Sequence, residues 1–549
     1  MGLRDSKRVR RIKLSLRHGV EKLYFKLLPF NSVLLLSIYP RLVFNKQEFK
    51  QFRIMREVFK DNYANIIATA PLFFAKNIKK HFKWIKSQDF ESKYGTAIKF
   101  APPPPHSNHI NSSHINQNSN SQTSINKYPP LLNPESFNYH KIPANLAYHY
   151  NMPLPRYYEF IYLSTYGAGY QAMQKFFRYC GICVAELWTA LAEPQREYEH
   201  FYNTLIANKE EYCIIYLNGR GLYGRDKLFA LIDSSVPLLI VARDPISIYK
   251  PIVNHLGERD YKYECTLRTD YRAFLDSIRY TLGHNPSLDI LYNGDNYEIQ
   301  GAAALSIQSR MKALKNVSEI TYIAFEQILE KRAFDTFNML AKKYGFQPPK
   351  SKEIFEAKVN GGMLLGLLPR ILKIHENDIP FMFKGGHTNH IDSETKPLLP
   401  QHTIIITTPQ IEGHDISNRL IDISKELDFN MPFSNIYLLI AKDSYLKLCN
   451  NTALFTATKE YLRGFLQELE NRANIENNKR LSESDMLKKF KTDSILAMKY
   501  KAVFDRELAH IKEHRPDIVA CWKYYQEFEH YINTALKNDI KEVGDKKPE

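Results

Sequence analysis

Thr165-Tyr166-Gly167-Ala168-Gly169 is the stretch best suited to hold an anion. Before it, Phe160, Ile161, Tyr162 and Leu163 are aromatic, β-branched or large and apolar, as a buried strand requires. After it, Met173, Phe176 and Phe177 fall at i, i+3 and i+4 and mark one face of a helix. A strand, a glycine loop and a helix in that order present free backbone N–H groups at a positive helix end, where a phosphate fits without a charged side chain. Gly167-x-Gly169-x-x-Ala172 also matches the dinucleotide fingerprint, but no strand ending in an acid follows within ~30 residues, and the phosphate loop with Lys-Ser/Thr is absent. The competing reading is a glycine turn that only lets strand and helix pack closely.

A second group with chemical potential is Val241 to His255, VARDPISIYKPIVNH. A guanidinium at a strand end, Arg243, can bond a phosphate bidentately; its alternative is an ion pair with Asp244 or another carboxylate. Asp244 and Pro245 suit a helix start. Ser247, Lys250 and Asn254 then share a helix face, with His255 next door. Cys180-x-x-Cys183 comes late in the helix after the glycine loop, not at a helix N-terminus where a thiolate is favoured, and is expected to be core packing. His387 and His390 lack a third ligand, and His106, His109 and His114 sit in a linker, so no metal site is expected.

The elements that must position these groups read as an α/β fold with a mostly parallel sheet. Strands are expected at Glu159–Ser164, Tyr212–Leu217, Pro237–Ala242 and Glu319–Ile323, with a helical piece at Asp226–Ile232. In such sheets ligands bind beyond the carboxyl ends of the strands, where both the glycine loop and Arg243 fall. Gly345, before Pro348 and Pro349, is expected to stop a helix that carries Phe334, Phe337 and Leu340. The expected organisation is a basic helical N-terminal module over 1–100 and a Pro/Asn/Ser-rich disordered linker over 101–140. An α/β core over 141–350, an α/β extension over 351–442 and a helical C-terminal region over 443–549 follow. In that last region Tyr461, Leu462, Phe465, Leu466 and Leu469 form one apolar stripe. Trp522, Tyr525, Phe528, Ile532 and Leu536 form another.

With 549 residues and a net charge of +16, the chain favours polyanions: nucleic acid, an anionic membrane face or nucleotide-activated substrates. Six cysteines do not make a disulfide scaffold. No secretory or membrane-spanning segment is expected, which points to the cytoplasm. The basic residues of the first 26, interleaved with leucines, suit either contact with the inner face of a membrane or a solvated arm. Nucleic acid is disfavoured because no recognition module is visible and the bases are spread along the chain.

The stretches STYGAGYQ, LLIVARDP, and YIAFEQI followed by LAKKYGF, in this order, resemble the sulfotransferase-like branch of P-loop folds. The whole chain also resembles a bacterial family of putative sugar transferases. That family includes proteins similar to those placing O-methyl phosphoramidate on capsular polysaccharide. The donor loop lacks the Lys or Arg of sulfotransferases, and Pro251 stands where they place a Ser for a 3′-phosphate. The resemblance therefore implies a cytidine-type nucleotide-activated donor as co-substrate, no permanently bound cofactor, and a sugar or polysaccharide hydroxyl as acceptor. Ser164, Thr165, Tyr166, Gly167, Ala168, Gly169, Tyr170 and Gln171 would bind the donor's phosphate link, and Arg243, Ser247 and Lys250 the departing nucleotide. His255, His284 or Glu326 would serve as general base. The alternatives are a nucleotide-sugar glycosyltransferase and a non-catalytic basic protein that binds nucleic acid or membrane.

Overall fold

The computed structural model describes residues 44–58, 70–100, 128–187, 193–218, 222, 224–257, 264–276, 279–292, 304–356, 367–375, 402–407, 420–427 and 436–544. The basic segment before residue 44 and the histidines at 106, 109, 114, 387 and 390 lie outside them.

The centre is a five-stranded sheet made of β1 (Phe160–Leu163), β2 (Cys183–Ala185), β3 (Cys213–Leu217), β4 (Val236–Ala242) and the later β6 (Val317–Ala324). Its order is β2-β3-β1-β4-β6, and every pairing is parallel. β1 and β3 are buried at every position because both faces are covered, which is why they read as unbroken apolar runs. Alternate residues feed two different cores. Phe160, Tyr162, Ile214, Tyr216, Leu239 and Val241 pack under α4 (Tyr170–Tyr179) and α8 (Ala333–Tyr344). Ile161, Leu163, Ile215, Leu238 and Ile240 pack under α5 (Pro194–Ala207) and α6 (Pro245–Val253). Met173, Phe176 and Phe177 of α4 are fully buried, each stabilising by ~1.5–3 kcal/mol.

The four strands expected from the sequence are all present, within a residue or two of their anticipated ends. β2 was not expected. Gly181, at φ 73°, ends α4 after Cys180, so Cys183 opens a strand instead of continuing the helix. Burial pushes the Cys180 thiol up to about 12, far from a reactive thiolate. α5 is a further 14-residue element that the sequence reading passed over.

A second five-stranded sheet has the order β9-β10-β8-β7-β5: Leu420–Asp422, Tyr437–Ala441, His402–Thr407, Arg370–Ile374 and Glu264–Thr266. It is antiparallel except where β5 joins β7. The segments expected to extend the first core thus build a core of their own, and they take one strand, β5, from before residue 350. The long helix α9 (Thr452–Asn478) covers it with Leu462, Phe465, Leu466 and Leu469. After it come α10 (Glu483–Thr492), α11 (Ser494–Glu507), α12 (Ala509–His514), the short helix Pro516–Ala520 and α13 (Lys523–Gly544). They return to the first sheet, where Trp522, Tyr525, Phe528 and Ile532 are buried.

Ahead of the sheet lie α1 (Lys46–Val58), α2 (Pro71–Ile85) and α3 (Gln88–Phe100). The expected linker over 101–140 ends sooner than anticipated. Up to residue 127 it lies outside the described residues, but from Tyr128 the chain is anchored. Leu131 is buried, Asn133 and Asn138 cap short turns, and Tyr128 donates to the Asp226 carboxylate. Two residues of α2 make buried polar links to this stretch: Trp84 Nε1 donates to the Pro130 carbonyl at 2.8 Å, and His81 lies beside it. Its Nδ1 donates to the Leu131 carbonyl at 3.2 Å, and its ring stacks on Phe74 and Tyr150.

Burial of the His81 imidazole lowers its pKa from 6.5 to about 4. The unfolded chain therefore takes up a proton near pH 6.5 that the folded chain refuses until about pH 4. Stability is complete above pH 6.5 and falls as pH drops, by about 2 kcal/mol at pH 5. Denaturant melts at pH 7.5 and pH 5 should show a smaller difference in His81→Phe than in the parent chain.

Candidate functional site

The glycine loop leaves the end of β1, the central strand. Ser164 N–H still bonds the Leu217 carbonyl at 2.9 Å, and then the chain turns, with Ala168 N–H on the Thr165 carbonyl at 3.2 Å. Gly167 and Gly169 take φ values of 73° and 80°, a region open to glycine at no steric cost. At Gly167 the space demands glycine as well: a Cβ there would stand 2.7 Å from the Ile248 carbonyl oxygen of α6, whereas one at Gly169 would meet the movable end of the Ile328 side chain. The loop is therefore wedged between α6 and the turn Phe325–Ile328 that follows β6.

α4 begins directly from Gly169 with no side-chain cap, and its first backbone bond runs from Met173 N–H to the Gly169 carbonyl at 3.0 Å. The N–H groups of Gln171 and Ala172 have no hydrogen-bond acceptor among the described residues, and Gln171 is exposed. Thr165 is fully buried and its hydroxyl has no partner among the described residues. Tyr170 turns its side chain away: its hydroxyl and Gln174 Nε2 both donate to Glu186, just past β2.

Arg243, at the end of β4, meets this loop. Its Nη1 donates to the Gly167 carbonyl, and its guanidinium lies over the Phe325 ring, 4.2 Å from the centroid. Burial lowers its pKa, opposed by the nearby Glu483, Asp244 and Glu326 carboxylates. Asp244 and Pro245 start α6 as expected, with Asp244 Oδ1 accepting from Ile246 N–H at 2.9 Å. Asp244 also does something the sequence did not reveal. Its Oδ2 accepts from Tyr524 N–H at 2.8 Å and Tyr525 N–H at 3.2 Å, capping the start of α13. One carboxylate thus serves two helix N-termini, close to 280 residues apart in sequence.

Ser247 and Lys250 point at an internal partner. Ser247 Oγ and Lys250 Nζ donate to the two oxygens of Glu483, the first residue of α10, at 3.2 and 2.9 Å. Burial would raise the Glu483 carboxyl, but the bonds from Lys250 and Ser247 hold it below its ordinary value. Asn254 exchanges two 2.9 Å bonds with the backbone of Leu481. The helix face read as a nucleotide grip is therefore engaged by the C-terminal helices.

The three candidate bases separate. His255 lies past the far end of α6, roughly 15 Å of helix rise from Arg243, with Nδ1 3.1 Å from Thr281 Oγ1. His284 is exposed beside the same pairing of residues 256–257 with 279–280. Only Glu326 stands at the glycine-loop end of the sheet, exposed and next to Phe325. The sequence reading missed Arg310 of α7 (Gln308–Ala313). It is fully buried, and its guanidinium donates to the carbonyls of Ser164 at 2.7 Å, Asn218 at 2.6 Å and Ser306 at 2.5 Å. It ties the ends of β1 and β3 together beneath the loop. Nothing in SIQSRMKAL marks it, because the Ser164 and Asn218 carbonyls that it joins are remote in sequence.

Among the described residues, no three His, Cys, Asp or Glu side chains are placed to hold a metal, and no helix is long and apolar enough to cross a membrane. Residues 322–534 match the model of a family described as a protein of unknown function (DUF2972). The match covers less than half of the chain. It begins within β6 and runs through the second sheet into α13, leaving out the glycine loop and Arg243. No curated protein and no solved structure is similar enough to match.

Replacing Asp244 by Ala strands buried N–H groups on two helices and should cost about 2–4 kcal/mol. Asp244→Asn, which keeps an acceptor oxygen, should cost less. Urea denaturation of both variants beside the parent chain measures the difference.

Proposed function

We propose that this chain is a transferase that moves an activated group from a nucleotide donor to a hydroxyl of a surface polysaccharide. The observation that carries this reading is the meeting of the glycine loop and Arg243 at the carboxyl ends of β1 and β4. β2 and β3 lie on one side of β1, and β4 and β6 lie on the other, so the strand order reverses there. Open parallel sheets bind ligands at such a crevice. An all-parallel sheet with a glycine loop leaving its central strand is also what a sulfotransferase-like P-loop core would require.

The donor's phosphate link would lie across the backbone N–H groups at the start of α4, held by the partial positive charge of the helix end. Arg243, pre-set by Phe325 and the Gly167 carbonyl, would neutralise the departing nucleotide phosphate. The acceptor oxygen attacks the transferred group as the bond to the nucleotide oxygen breaks, and Glu326 takes the hydroxyl proton. Fixed donors aimed at charge in the transition state supply most of the acceleration. Ser247 and Lys250 support the site through α6 while bonded to Glu483. A cytidine-type donor fits a loop with no group set aside for a 3′-phosphate.

Thermal shifts with cytidine 5′-diphosphate, uridine 5′-diphosphate and adenosine 3′,5′-bisphosphate, run in parallel, test the reading. The cytidine nucleotide should raise the melting temperature most. Arg243→Ala should abolish that shift while melting within a few degrees of the parent chain. An undiminished shift in Arg243→Ala removes the site. With a working donor, Glu326→Gln should lower turnover by ~10²–10⁴-fold and leave donor affinity unchanged.

A further inference from the structure

We propose that Cys183 of β2 and Cys213 of β3 are a reversible disulfide site, which a peroxide closes to staple the edge of the parallel sheet. The two residues are register partners on neighbouring parallel strands: Cys183 stands opposite Cys213, Val184 opposite Ile214 and Ala185 opposite Ile215. Neighbouring strands run ~4.8 Å apart. A disulfide spans Cα separations of ~4.4–6.8 Å, so the bond needs no sliding of one strand along the other.

Side-chain direction agrees with the pairing. Cys213, Ala185 and Ile215 belong to the core under α5 and α6, and Cys183 packs against that same core. Ile214 belongs to the core under α4 and α8, where Val184 packs. Cys183 and Cys213 therefore leave the sheet on one face, side by side. Cys180 is buried in the opposite core, so the Cys180-x-x-Cys183 spacing in the sequence is not a pair in space.

The two thiols differ in access and in proton affinity. β2 is the end strand of its sheet and Cys183 is only half-buried on it, so a small reagent reaches that sulfur first. Cys213 is fully buried, and its Sγ–H has the Asn208 carbonyl at 3.3 Å as one acceptor and the Cys183 sulfur as another. The hydrogen bond from Cys213 holds the Cys183 thiol below its ordinary value, against the effect of burial. The same contact, with burial, pushes Cys213 up.

With hydrogen peroxide as oxidant the step balances. The Cys183 thiolate attacks one peroxide oxygen, the O–O bond breaks, and hydroxide leaves and takes up the proton that Cys183 gave up. Cys183 is now a sulfenic acid. The Cys213 sulfur then attacks the Cys183 sulfur, the S–O bond breaks, and hydroxide leaves with the Cys213 proton as water. Two thiols lose two electrons, and one peroxide becomes two waters. A dithiol reverses the bond by exchange.

The staple falls on the strand that anchors α4. β2 is three residues long and pairs with β3 alone. Just past it, Glu186 accepts from the Tyr170 hydroxyl and Gln174 Nε2 of α4, and the Leu187 carbonyl accepts from Asn218 Nδ2 at 2.9 Å. A covalent bond at the start of β2 stops this short edge strand from fraying and so fastens the first turns of α4 to the sheet. This holds whatever the crevice binds.

The test uses the full chain, reduced and then treated with hydrogen peroxide, alkylated under denaturing conditions and digested with trypsin. Cleavage leaves Cys180 and Cys183 on the peptide 179–196 and Cys213 on the peptide 210–220. Mass spectrometry should find the two peptides linked with the loss of two hydrogens, and dithiothreitol should separate them. Cys180→Ser should keep the link, and Cys183→Ser should abolish it. In Cys213→Ser, dimedone should trap a sulfenic acid at Cys183. If a substitution at a buried cysteine unfolds the chain, fragmentation of the linked parent peptides assigns the sulfur instead. Hydrogen exchange at the amides of residues 183–186 should slow about tenfold on oxidation. A bond from Cys180 to either of the others, a sulfenic or sulfinic acid left unlinked at Cys183 in the parent chain, no oxidation at either residue, or exchange over 183–186 that does not slow overturns the proposal.

Discussion

Two neighbouring residues at the end of β4 hold the structure to its site. Arg243 reaches forward to the glycine loop and fixes the Gly167 carbonyl, while Asp244 reaches back and caps both α6 and α13. A buried carboxylate is costly unless its oxygens are satisfied, and here three backbone N–H groups satisfy them. Burial still raises the Asp244 carboxyl above its ordinary value, so these bonds offset only part of the cost. The C-terminal helices are thus attached to the end of β4 by hydrogen bonds rather than lying beside the sheet as a separate appendage.

The same logic recurs along α6. Ser247 and Lys250 hold Glu483, Asn254 holds Leu481, and on α7 Ser309 N–H and Oγ both donate to Glu507 at 3.1 Å. Each contact joins a residue ahead of position 322 to the region that matches the family of unknown function. That region supplies Glu326, four of the five strands of the second sheet and the helices that brace α6, while β5, the loop and Arg243 come from outside it.

The parallel sheet was legible because its strands are buried on both faces and carry little but apolar residues, as in FIYL and CIIYL. The glycine loop was legible because φ near +75° and close backbone approach leave little choice of residue. What escaped was whatever depended on contacts across long stretches of chain. β2 is only three residues long and hides behind a glycine that stops a helix. β5 joins a sheet whose other members begin a hundred residues later. Spacing put Ser247 and Lys250 on one face correctly, but it carried no information about Glu483, which fills that face from 230 residues away. Arg310 was invisible for the same reason.

Gly167 has a mechanical consequence. A Cβ added there would overlap the Ile248 carbonyl oxygen and the Pro251 ring, so the loop has no room for a side chain toward α6. A tilt of that helix is felt by the loop at once, and α6 is itself pinned by α10 and α13. Asp244 and α6 thus link the start of α13 to the glycine loop, which lies some 350 residues earlier in the chain.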